Sequence, residues 1–292
     1  MLMRREIFLL ALALFSLTAG PLHAFDWPQD AVVSDNFYSY FGQLRGGGIS
    51  GSLIFKDNSV IRACDSGSVA VVIGEHSDDF GWFESTLGNA VIIAHDNSLC
   101  TVYANLDAGS VSEEAFSAGP IESGTELGES GNSGWQEGDS CLEFQVLDTR
   151  NKSSVNPRVL MPRMGRELVL EIGDLVLVDK KGGNHRLIWE RAFPAGVYYL
   201  YRDRQKVAVP YRTVVAVNGA TVEGISYDAL TETNGRLCAM GNSPYPVEML
   251  YPDSRRQLLG AVQLTRGRNT LSVTLLDILG VARTVTYTLD IN

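Results

Sequence analysis

Apolar residues in this chain recur at every second position, and that period decides what it can fold into. Thr101, Tyr103 and Asn105 alternate with Val102, Ala104 and Leu106, and Cys141, Glu143 and Gln145 alternate with Leu142, Phe144 and Val146. Near the end Leu271, Val273 and Leu275 alternate with Ser272, Thr274 and Leu276, while Val285, Tyr287, Leu289 and Ile291 alternate with Thr284, Thr286, Thr288 and Asp290. Successive side chains on a strand point to opposite faces, so this is the period of half-buried β-strands. The expected class is all-β. From Leu168 onward strand follows strand: residues 168–178, 196–201 and 213–217, the last ending at Asn218-Gly219, a hairpin turn signal. Residues 228–251 are less regular and are expected to hold a short helix or a long loop. Repeated short strands of this kind indicate a β-sandwich.

The first residues read as an export signal. Arg4 and Arg5 precede the apolar run of residues 7–15, and Leu22-His23-Ala24 offers a small residue for cleavage, leaving Phe25 as the mature start. The run is short for a membrane span, with a retained signal anchor as the alternative. The protein is expected to be exported, to the periplasm or cell envelope, with no membrane span after cleavage. The formal charge is −10, and removing Arg4, Arg5 and Glu6 leaves about −11. Nucleic acid needs a basic footprint, so it is excluded as a partner. An acidic surface also gains nothing electrostatically from an anionic wall polymer. Cys64, Cys100, Cys141 and Cys238 allow three disulfide pairings or four buried thiols, and strand phase argues against pairing Cys100 with Cys141.

About 268 residues follow the signal, enough for two domains. Within the first, Gly88-Asn89-Ala90-Val91-Ile92-Ile93-Ala94-His95 precedes Thr101-Val102-Tyr103-Ala104-Asn105-Leu106. A glycine-rich turn, Gly124-Thr125-Glu126-Leu127-Gly128-Glu129-Ser130-Gly131-Asn132-Ser133-Gly134, precedes Cys141-Leu142-Glu143-Phe144-Gln145-Val146, and Val155-Asn156-Pro157 closes the stretch. These motifs resemble those of LytM/lysostaphin-type peptidoglycan metalloendopeptidases, the duplicated hybrid motif fold, over residues 46–162. The resemblance implies an antiparallel β-sheet core with a zinc site of three protein ligands and an open position. It also implies a His and an Asp as the first two ligands and His-Leu-His as the third motif. Here the window of residues 49–55 contains no His, Asp, Glu or Cys, and Glu143 stands at the third ligand. Asn105 and Cys141 occupy the positions of two further histidines that act on metal-bound water. An amide does not titrate, so Asn105 cannot shuttle a proton. Five functional positions are changed together, which reads as a pseudoenzyme with no zinc and no catalytic residue.

If the resemblance holds, Tyr103, Asn105, Cys141 and Glu143 converge on one polar groove, flanked by Trp82 and Trp135 on loops where indoles can stack on sugar or peptide. The alternatives are ordinary half-buried strand residues for Tyr103 and Asn105, and loop packing for the tryptophans. A replacement metal site from Cys141, Glu143 and His95 has no recognised ligand spacing. His95 reads as a surface or turn histidine, and His76 and His185 as loop residues. Residues 25–45 read as a lead-in segment over the first domain and 163–167 as a linker. Residues 168–292, with the closing hairpin around residues 264–280, resemble bacterial immunoglobulin-like domains, which act as spacers or adhesive surfaces. Three functions compete. The first is a non-catalytic envelope protein whose groove binds peptidoglycan or regulates a separate cell-wall hydrolase. The second is an active metalloendopeptidase with altered ligands, and the third is a purely structural envelope protein.

Overall fold

A computed structural model describes residues 25–74, 85–117, 119–134 and 141–292. The signal segment (residues 1–24), His76, Trp82 and Trp135 lie outside the described residues. The fold is all-β, with helices of only three or four residues between the strands. In the first half, strands Gly67–Ile73, Asn89–Ala94, Leu99–Leu106 and Glu143–Asp148 pair antiparallel in that order. Leu53–Phe55 also pairs with the Glu143–Asp148 strand and, on its other side, with Phe37–Ser39. The lead-in is therefore part of the fold. Its Phe25, Phe37, Tyr40 and Phe41 are buried, with Phe37 and Phe55 ring centroids 5.0 Å apart.

In the second half two sheets face each other. One contains Asn184–Arg186, Leu175–Asp179, Gly196–Asp203 and Arg256–Leu264, and the other contains Arg212–Val217, Ala220–Thr233, Gly267–Leu276 and Ala282–Ile291. Leu175, Leu177, Leu200 and Leu258 from the first sheet and Val215, Ile225, Leu271 and Val273 from the second share one core. Alternating apolar positions do this because each sheet buries one face. The Asn218-Gly219 turn forms as the dipeptide predicts, with φ of 51° and 82°. Three expectations need correction. Residues 168–174 are not strand, and the strand begins at Leu175. Residues 228–251 are more regular than expected, being mostly strand, although the expected short helix is there at Val247–Leu250. His185 lies on a strand, opposite Leu177, rather than in a loop.

The two halves share one sheet. Ser153–Val155 pairs on one side with Glu143–Asp148 and on the other with Ala220–Thr233. Around this strand, Asn156 Nδ2 donates to the Tyr227 carbonyl at 2.9 Å and the Tyr251 hydroxyl to the Gly42 carbonyl at 2.6 Å. Gly42 has φ 79°, and a Cβ there would meet the Tyr227 ring at 2.6 Å, so only glycine fits. Residues 163–167 are not a free linker: Met164 is buried, and Glu167 pairs with Arg158, whose guanidinium lies 5.1 Å from the Tyr40 ring centroid.

Asn156 also accepts from the Arg158 N–H at 3.2 Å. Asn156→Ala strands buried groups on both sides of the junction and is expected to cost about 2 kcal/mol, read in a denaturant melt. Burial pushes the Tyr227 hydroxyl up to about 12 from 10.0. A raised folded pKa favours the protonated form, so this stabilisation is complete below pH 10 and is lost as pH rises toward 12. Melts between pH 8 and 12, with Tyr227→Phe as control, are expected to show an alkaline loss that the variant reduces.

Candidate functional site

The register of the central strands decides which side chains meet. Directly opposed residues of an antiparallel pair share a face. Phe144 stands opposite Tyr103, whereas Glu143 stands opposite Ala104 and Gln145 opposite Val102. Tyr103 therefore belongs to the buried face. It is fully buried, its ring centroid lies 5.2 Å from that of Phe144, and its hydroxyl accepts the Cys64 N–H at 2.8 Å. The expected convergence of Tyr103 with Glu143 on one groove does not occur. Burial pushes the Tyr103 hydroxyl well up, and pushes the Cys64 thiol up to about 12, so neither is poised for chemistry. Neither Cys64, Cys100 nor Cys238 is in a disulfide.

Asn105 breaks the alternation. Its φ is 64°, and in consequence Leu106 joins Tyr103 in the main core instead of following Val102 and Ala104. Asparagine tolerates this conformation better than most residues. Its amide is saturated: Nδ2 donates to the carbonyls of Gly131 (2.9 Å) and Cys141 (2.5 Å), and Oδ1 accepts from the Gly134 N–H (2.8 Å). Its backbone N–H reaches the Leu87 carbonyl, and its carbonyl accepts from Gly131 N–H. Asn105 thus ties the glycine turn to the sheet and is wholly buried, so it presents nothing to a ligand. Cys141 is also buried, its N–H bonded to the Gly131 carbonyl. The turn glycines are held by space rather than chemistry: a Cβ on Gly131 would sit 2.3 Å from Asp107 N.

Of the four strand candidates, only Glu143 lines an open cleft. This cleft holds about 340 Å³. Glu143 and Gln145 form one wall, their side chains 3.2 Å apart, and Ser50, Gly51 and Ser52 form another, with the two serine hydroxyls 3.0 Å from each other. Thr86, Leu87 and Arg45 complete it. Alternation puts Gln145 beside Glu143 on one face, whereas the hydroxyls of Ser50 and Ser52 carry no motif that would mark them in the sequence. His95 lies elsewhere. Its Nδ1 lies 2.8 Å from the Ser66 carbonyl, to which it donates, and its Nε2 lies 2.7 Å from Thr101 Oγ1. It clamps a turn, as expected.

A catalytic zinc needs three His, Asp, Glu or Cys ligands around one point. The cleft supplies a single carboxylate, and among the described residues no three such side chains gather to hold a metal ion. The described residues of the cleft do not by themselves make a zinc site. What they can do is hydrogen-bond: a carboxylate, an amide, three hydroxyls and a guanidinium suit the polar backbone of a peptide or a sugar.

Because Asn105 is saturated and buried, Asn105→Ala is expected to destabilise by about 3 kcal/mol, while Glu143→Ala stays within about 1 kcal/mol. Paired thermal melts check this. Equal losses in the two would contradict the assignment of Asn105 as a structural tie.

Comparison with known proteins agrees with this scaffold. Residues 50–157 match the family model "Peptidase family M23", and a second family model covers residues 169–292. A Treponema pallidum (strain Nichols) protein described as uncharacterized is 32% identical over 139 residues, 45% of this chain and 92% of that protein. Among solved structures, a zinc containing peptidase from Vibrio cholerae is 20% identical over 48% of this chain, at TM-score 0.36, and the match spans 40% of that chain's length. The catalytic domain of the prophage-encoded M23 protein EnpA from Enterococcus faecalis is 20% identical, covering 44% of this chain and 95% of that one at TM-score 0.34. Lysostaphin is 13% identical over 90% of this chain and 96% of its own length, at TM-score 0.37. TM-scores this low carry no argument. Residues 50–157 of this chain are a domain of peptidase family M23.

Proposed function

We propose that this protein is a non-catalytic component of the cell envelope, whose peptidase-like cleft holds a peptide or sugar segment of peptidoglycan without cutting it. One observation carries the reading: where the resemblance calls for histidines and metal ligands, the chain has a saturated Asn105, a buried Cys141 and one carboxylate, Glu143. Acid–base catalysis needs a titrating group within reach of the reacting atoms, and Asn105 offers none. The open, hydrogen-bonding cleft beside it supports binding. The exported location rests on the signal pattern of residues 1–24, and the second half is read as an immunoglobulin-like spacer on its strand pattern.

The test is co-sedimentation of residues 25–292 with purified peptidoglycan. The wild type is expected to sediment, and Glu143→Ala/Gln145→Ala to lose most of that binding while melting as the wild type does. Wall binding unchanged in the double variant would remove the cleft from the function. No binding by either protein would redirect the reading to regulation of a separate cell-wall hydrolase. Zinc analysis and a wall-degradation assay on the same preparation are expected to give substoichiometric metal and no release of wall fragments. Stoichiometric zinc with cleavage would restore the enzyme reading.

A further inference from the structure

A second cleft, of about 530 Å³, lies in the C-terminal half. Six cationic side chains line it, Arg186, Arg202, Arg204, Lys206, Arg255 and Arg256, against two carboxylates, Asp203 and Asp253. Arg202 is buried and committed to Gln257 and the Glu171 carbonyl, which leaves five other cations, of which Arg256 is paired with Asp253. In a chain of net charge −10 such an excess is a local reversal of sign. Several of these groups are held in place. Arg204 Nε donates to the Ser254 carbonyl at 3.0 Å, Arg256 Nε to Asp253 at 2.6 Å, and the Arg256 guanidinium lies 5.4 Å from the Tyr201 ring centroid. Guanidinium forks fixed in this way match the oxygens of phosphate groups.

Next to Arg186, which lines the cleft, stands an apolar tip. Ile188 is 52% exposed and its neighbour Trp189 73% exposed. The tip is not loose, because Leu187 is fully buried beneath it and the N–H groups of Trp189 and Glu190 both bond to the Arg186 carbonyl. The Arg186 guanidinium lies 5.2 Å from the Trp189 ring centroid, which joins the tip to the cationic rim. A rigid turn that aims an isoleucine and an indole outward beside fixed cations combines the two forces that bind proteins to lipid surfaces. An indole prefers the membrane interface, and basic groups are attracted to anionic headgroups.

We propose that this face docks on an anionic phospholipid surface, with Ile188 and Trp189 entering the interface and the Arg186, Arg204 and Arg255 cleft receiving lipid phosphates. The chain would then sit against a membrane through its second half while the M23-type cleft remains available to the wall.

The experiment is sedimentation of residues 25–292, which lack the apolar run of residues 7–15, with vesicles of phosphatidylglycerol and phosphatidylethanolamine or of phosphatidylcholine alone. Binding is expected only with phosphatidylglycerol, weakening as salt rises. Arg204→Glu/Arg255→Glu is expected to weaken it by on the order of tenfold or more, and Ile188→Ser/Trp189→Ser to weaken it clearly, with melting temperatures unchanged for both. Equal binding to both vesicle types, or wild-type binding by both variants, would overturn the proposal. So would binding to soluble poly(glycerol phosphate) without binding to vesicles, which would make the cleft a receptor for an anionic polymer instead. None of these outcomes depends on the peptidoglycan result, since the variants leave Glu143 and Gln145 untouched.

Discussion

Three residues, Ser153, Ser154 and Val155, hydrogen-bond as a strand to both halves of the molecule, and the arrangement of everything else follows from them. A strand with unpaired edges on both sides exposes backbone donors and acceptors that must find partners. Here the partners are a strand of the M23-type domain and the 14-residue strand Ala220–Thr233. Continuity of the sheet removes the freedom a linker would give. It is reinforced by buried polar contacts that cross the junction, from Asn156 to the Tyr227 carbonyl and from Tyr251 to the Gly42 carbonyl, with Gln257 and Arg202 bonded behind the tyrosines. Such contacts are directional, so they select one relative placement of the halves in a way that apolar burial alone would not.

The same reasoning explains what holds the glycine-rich turn of the M23-type scaffold in place. The glycine-rich turn survives because Gly131 lies against the backbone of Asp107, and because Asn105 consumes its whole amide in holding that turn to the sheet. Both constraints are internal to the fold and would act with or without catalysis. A family-like turn is thus weak testimony about activity, whereas the identity of the side chains that line the cleft is direct testimony about chemistry. Only Glu143 carries a ligand-type group into that cleft from the motif positions, and its neighbours are amide and hydroxyl groups.

Net charge misled in one respect. A total of −10 argues against a nucleic-acid footprint over the whole chain. It says nothing about local field, because a sum over residues contains no distances. Arg186, the stretch Arg202–Arg204–Lys206 and the pair Arg255 and Arg256 come from three separate strand ends, and pairing of those strands brings them to one cleft.

The period-two pattern by itself determined the all-β class, the Asn218-Gly219 hairpin and the closing pair of strands, since alternation is a local property of consecutive residues. The motifs of the first half likewise pointed to the M23 scaffold. Alternation also placed Glu143 and Gln145 on one face. It failed at Tyr103 and Asn105, because it cannot say which face of a strand is the open one, nor foresee that a positive φ at Asn105 would turn the strand over. Ser50 and Ser52 escaped notice because a hydroxyl carries no motif. Which residues share a cleft, and whether two domains share a sheet, depend on contacts between residues tens to hundreds of positions apart. Only the tertiary structure, through strand register, decided those.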